Sequence, residues 1–199
     1  MLCKLISSIK SVVFTMLISF TAANAAAQPN ADLPIPYMPA SPQKVLADIG
    51  APADVQAVVT GGWGYTRPEP TVLGNPYHGK SKFFDVQAFE ADLIDLRNME
   101  EFYTVPGDGS RYLPLKFLII KQTTHTEAGG RRLDEINAEV DLLPEEYWAD
   151  LNDLSAQKAT EEQIFAFFHG KLKTVKRTYW FDITQPFMDN KQFYANPLE

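Results

Sequence analysis

Chemistry in this chain would have to start from three histidines, His78, His125 and His169, and from its paired acids. No two histidines stand at metal-ligand spacing, and H-E-x-x-H and G-x-S-x-G are both missing. His169 directly precedes Gly170 at the end of a helical pattern, where an imidazolium suits the helix dipole. His125 lies in a Thr-rich strand end and becomes a general base if a buried carboxylate stands beside it, but the sequence names no such carboxylate. The pairs Glu100-Glu101, Glu145-Glu146 and Glu161-Glu162 fall at helix starts or on polar faces and read as solvated charge. Catalytic residues stay unassigned, and no metal or cofactor is expected.

A binding surface has better support. Gly61, Gly62 and Gly64 interleave with Trp63 and Tyr65, and Arg67 follows. Glycines let a backbone bend tightly and carry rings out of regular structure. Aromatic rings beside a guanidinium form a platform for sugars, peptides or proline-rich chain. Tyr77 and His78 extend the same candidate surface. The competing reading makes Trp63 and Tyr65 plugs at the edge of the core.

The segment Gly74 to Ser81 (GNPYHGKS) fits G-x-x-x-x-G-K-S and so resembles the phosphate loop of P-loop nucleotidases. The resemblance implies Lys80 on the terminal phosphates and Ser81 on Mg²⁺. Its surroundings argue against it. The preceding PEPTVL is not a buried apolar strand, and Pro76 removes one of the N–H groups such a loop uses. The strands that follow read as an antiparallel hairpin, not βαβ units.

Residues 1–27 read as a secretory leader. Lys4 and Lys10 precede a short apolar run, and two A-x-A cleavage sites end at Ala25 and Ala27. The run is shorter than the ~20 apolar residues a membrane span needs. Of 18 basic and 25 acidic residues, removal of the leader takes two lysines and no acid, leaving 16 against 25 and a net charge of -9. It also takes Cys3, the only cysteine, so the mature chain has no disulfide, thiol nucleophile or thiolate site. Such an acidic chain is not expected to bind nucleic acid, nor to keep a stable membrane anchor after cleavage. Lys171, Lys173, Lys176 and Arg177 form a basic run that reads as a solvated sheet face. The expected location is periplasmic or extracellular, with a bacterial periplasm favoured.

Five prolines between Gln28 and Gln43 make residues 28–43 an extended linker or arm. A domain is expected over 44–184, with a loosely attached tail over 185–199. Ser41-Pro42 starts a short helix. Residues 52–60 suit either a second helix or a strand, and Gly61-Gly62 stops either one. Val86, Phe89, Leu93, Leu96, Met99 and Tyr103 form one stripe at helical spacing, with Glu90, Asp92, Asp95 and Glu100 on other faces. The helix should run from about Asp85 to Phe102, followed by a turn at Pro106 to Gly109. Leu115–Glu127 should pair antiparallel with Arg131–Leu143 across a Gly129-Gly130 turn. Leu133 is out of phase with Ile136, which suggests a bulge near Asp134. Ile120 and Phe117 fall on opposite faces, so part of this strand should be covered on both sides. Helices follow from Pro144 and from Thr160, the latter with a Gln163 capping box. The last strand spans 172–184.

The expected fold is therefore α+β: an antiparallel sheet of the 115–143 hairpin plus strand 172–184, with helices on one face. The expected function is an exported, non-enzymatic module that binds a protein or polymer partner through Trp63, Tyr65, Arg67, Tyr77 and His78. The alternative is an exported hydrolase built on a histidine.

Overall fold

A computed structural model of the chain describes residues 38, 40–77, 82–104 and 111–195. The leader, most of the proline-rich arm, His78, Lys80, Ser81 and the Pro106–Gly109 turn lie outside the described residues. The architecture is mixed α+β: a five-stranded sheet with helices packed against it. In chain order the main elements are α1 (Pro42–Asp48), α2 (Ala53–Ala57), β1 (Val59–Thr66), β2 (Glu69–Leu73) and α3 (Val86–Met99). A π-helical turn (Glu100–Thr104) follows, then β3 (Tyr112–Thr126), β4 (Arg132–Pro144), α4 (Trp148–Ala156), α5 (Glu161–Phe168), β5 (Lys173–Asp182) and α6 (Thr184–Ala195).

The strand order is β1-β2-β5-β4-β3. The β3/β4, β4/β5 and β1/β2 pairs are antiparallel, and β2 meets β5 in a short parallel stretch. The expected hairpin is present, running from Tyr112 opposite Pro144 to Thr126 opposite Arg132. Positive φ at Gly129 and Gly130 makes its turn. Residues 52–60 satisfy both readings in succession, since α2 ends at Ala57 and β1 begins at Val59.

Local chemistry accounts for the helix starts. Ser41 accepts from the Lys44 N–H, with Pro42 in the first turn. Asp85 accepts from the Ala88 N–H at the head of α3. Thr160 and Gln163 make both bonds of the capping box at α5. The main core joins α1, β1, β2, α3, β4 and β5 through Val45, Leu46, Val59, Trp63, Leu73, Leu93, Ile94, Ile136, Tyr179 and Phe181. A second cluster of Leu113, Leu143, Trp148, Leu151 and Phe168 holds α4 and α5 at the end of the hairpin.

Several expectations change. Gly61-Gly62 does not stop β1, which continues through Thr66. Within the segment expected as a tail, Thr184–Ala195 form α6, and the buried Asn190 side chain donates to the Phe84 carbonyl and accepts from its N–H. No bulge lies at Asp134. Residues 133–142 of β4 pair with β5 without a break, and the register shifts fall in β3, at Leu115 and Ile120. Ile120 is the extra residue of its bulge on a strand at the sheet edge, and it is 57% exposed rather than covered on both sides.

Candidate functional site

The aromatic-glycine segment is a strand, not a loop, and its glycines answer to close packing. At Gly64, φ is +68° and a Cβ would stand 2.3 Å from the Trp180 carbonyl oxygen, so β1 can approach β5 here only without a side chain. At Gly61, φ is +75° and a Cβ would meet the Pro70 carbonyl at 2.7 Å. Trp63 is buried in the main core and donates from Nε1 to the Ala40 carbonyl at 2.7 Å. Tyr65 is half-buried beneath the Arg97 guanidinium, 4.0 Å from the ring centroid. Both rings line a 150 Å³ pocket with Met38, Ser41 and Glu69. The other predicted residues do not converge there. Arg67 bonds Glu127 at 3.0 Å and lies 5.7 Å over the Trp180 ring. Tyr77 packs edge-on to Phe84 beneath Lys82. His78 lies outside the described residues.

Irregular pairing of β1 between Gly61 and Thr66 frees two carbonyls, Trp63 and Gly64, and Arg97 Nη1 donates to both, at 3.0 and 3.3 Å. Arg97 also pairs with Glu101 at 2.6 Å, both fully buried, and Arg177 stands 3.7 Å from the same carboxylate. Arg177 thus leaves the expected solvated run and faces inward, whereas Lys176 is exposed. Burial lowers the Arg177 pKa and raises that of the Tyr179 hydroxyl, which donates to Asn98 at 2.6 Å. This cluster ties α3 to β1 and β5 from within.

A second buried polar group lies at the other end of α3. Glu90, expected on a face other than the apolar stripe, is 1% exposed, and Asp134 of β4 is 3% exposed. Gln122 of β3 donates from Nε2 to both carboxyl groups, at 3.2 Å to Glu90 Oε2 and 2.7 Å to Asp134 Oδ2. The β3 bulge makes this possible. Ile119 lies opposite Ala138 and Gln122 opposite Ile136, so the extra residue turns Gln122 and Thr124 to the inner face. Burial first, and then Asp134, push Glu90 up to about 9, so Glu90 keeps its proton at neutral pH. Among the described residues, no N–H or hydroxyl donates to Glu90 Oε1 or Asp134 Oδ1.

Asp134 also lines a 370 Å³ pocket with Phe83, Asp85, Val86, Thr124, Ile183, Phe187 and Lys191, where the start of α3 meets α6 and the ends of β3, β4 and β5. Apolar walls, one buried carboxylate and a perturbed neighbouring acid are the features of a small-ligand site. The sequence held two signals for it. Asp134 continues the inward alternation of Ile136, Ala138 and Val140, so the phase break at Leu133 marks a buried acid, not a bulge. Glu90, Ile94, Arg97 and Glu101 repeat at helical spacing beside the apolar stripe, and all four are buried.

On the sheet face away from α3, His125 Nε2 lies 2.9 Å from Glu135 Oε2, and its ring is 5.5 Å from that of Trp180. This supplies a carboxylate for His125, though a partly exposed one. The hydrogen bond from His125 holds Glu135 below its ordinary pKa. Among the described residues no three His, Cys, Asp or Glu are grouped to hold a metal ion, and no helix is long and apolar enough to cross a membrane. No protein family, curated protein or solved structure matches this chain.

Proposed function

We propose that the protein is an exported binding module and that its ligand seats in the pocket between the start of α3 and α6. Export rests on the leader pattern of residues 1–27. The observation that carries the binding site is the Glu90–Asp134 pair against the wall of a 370 Å³ pocket. Burying two acids together costs stability, and a site that uses them accounts for that cost. The Trp63–Tyr65 segment is set aside as the binding surface because its glycines and Trp63 serve packing. The test is a titration of the ¹⁵N-labelled chain with small fragments of mixed charge. Hits are expected to shift the amides of residues 83–87, 124, 183 and 187–191. Thr124→Trp, a change at an exposed lining residue, should block them. Hits confined to other surfaces, or none, would overturn the reading.

A second reading, a hydrolase with His125 as general base oriented by Glu135, rests on their 2.9 Å contact. It ranks second because that pair is partly exposed and lines neither of the two pockets described above. Esterase or glycosidase turnover that disappears in a folded His125→Ala variant would move it to first.

A further inference from the structure

Resting on the pocket reading above, we infer that this site takes an organic cation, a ligand with an ammonium group on a short apolar body, with the ammonium against Asp134. Three observations carry this. First, two acids are buried side by side, and the side chain that donates to both carboxyls, Gln122, is neutral. A buried charge without a counter-charge is costly, and an incoming cation removes that cost. Second, Asp134 is 3% exposed, lines the pocket, and its Oδ1 receives no hydrogen bond among the described residues. A carboxyl oxygen of this kind accepts through its lone pairs, so Oδ1 has acceptor capacity for an ammonium N–H. Third, Phe83, Val86, Ile183 and Phe187 line the same space and suit an apolar body, with aromatic faces able to meet a cation.

The other charges do not reverse this. Asp85 and Lys191 line the pocket with opposite signs, and both are exposed. Arg132, two residues before Asp134 on β4, is turned over the Phe187 ring at 3.7 Å and is not a lining residue. A divalent metal ion fits less well, since calcium or magnesium takes about six or more oxygen ligands and no third acid joins the pair among the described residues.

The experiment compares phenethylamine, phenethyl alcohol and benzoate by calorimetry at pH 7, with the Ile183 and Thr124 amides followed by NMR. The expected result is saturable binding of phenethylamine at least tenfold tighter than of the alcohol. Asp134→Asn should abolish that preference, and Asp141→Asn, an outward-facing acid on the same strand, should leave it intact. Because the amine-to-alcohol comparison uses the unaltered chain, it stands even if Asp134→Asn does not fold. Equal binding of the alcohol, tighter binding of benzoate, or a preference that survives Asp134→Asn would overturn the cation assignment while the pocket reading stands. Binding of none of the three overturns the cation assignment, and the failure extends to the pocket reading if the mixed fragments also leave its amides unshifted.

Discussion

Burial disfavours the charged form of Glu90, and the neighbouring carboxyl of Asp134 adds to the effect, so the acid keeps its proton until about pH 9. In the unfolded chain the same group releases its proton near 4.5. Between those values the folded state binds more protons than the unfolded state, so this group makes stability fall as pH rises. Its contribution is complete below about 4.5 and lost as pH passes through about 9. A shift of this size is worth of order 5 kcal/mol. Urea melts at pH 5, 7 and 9 should show this loss, and Glu90→Gln should flatten the profile. An unchanged slope in that variant would place the proton elsewhere. Trp63 makes a different residue-scale prediction. It is a core residue with a satisfied indole N–H, so Trp63→Ala should cost about 3–5 kcal/mol in a denaturant melt. A loss below about 1 kcal/mol would return the ring to the surface and reopen the aromatic platform.

At the scale of elements, periodicity and caps were legible and close packing was not. The α3 stripe, the β3/β4 hairpin, the Thr160 capping box and the Ser41-Pro42 start could be read because each is a local rule acting on neighbours in sequence. The bulge at Ile120 and the bent course of β1 depend on partners far along the chain, and a strand's own residues do not disclose them. The glycines show the difference. Read locally they suggest flexibility, whereas in the fold Gly64 fits where only hydrogen can stand beside the Trp180 backbone. Gly64→Ala should therefore destabilise by about 3 kcal/mol or more, from strain and displaced strands together. Gly129→Ala should cost only about 1 kcal/mol, since a Cβ there meets open space at a positive φ. Thermal melts of the two variants compare them directly, and equal losses would mean that backbone conformation alone governs both sites. The candidate site was legible only in part. The phase break at Leu133 and the helical spacing of Glu90 with Ile94 and Arg97 mark both acids as buried, but that they meet depends on the register of β4 under α3.

For the molecule as a whole, the sheet order leaves β3 along one edge, with Leu118, Ile119 and Ile120 all exposed. An exposed apolar edge strand is a template for pairing with another chain. Two features oppose that pairing. Lys116 and Lys121 flank the apolar run, and the bulge at Ile120 interrupts the regular ladder. The same bulge turns Gln122 toward the acid pair, so one irregularity serves both the site and the edge. Ile120 contributes little buried apolar surface to the folded chain, because its side chain is 57% exposed. Replacing it with lysine should therefore change stability by no more than about 0.5 kcal/mol. It should also lower any concentration-dependent light scattering, because a third charge then stands on the edge. The extra residue remains in Ile120→Lys, so the bulge and the Gln122 bonds should persist and the pocket amides should respond to fragments as before. A stability loss above about 2 kcal/mol would mean that Ile120 is covered after all. Unchanged scattering would mean that the lysines and the bulge already suffice to keep β3 from pairing.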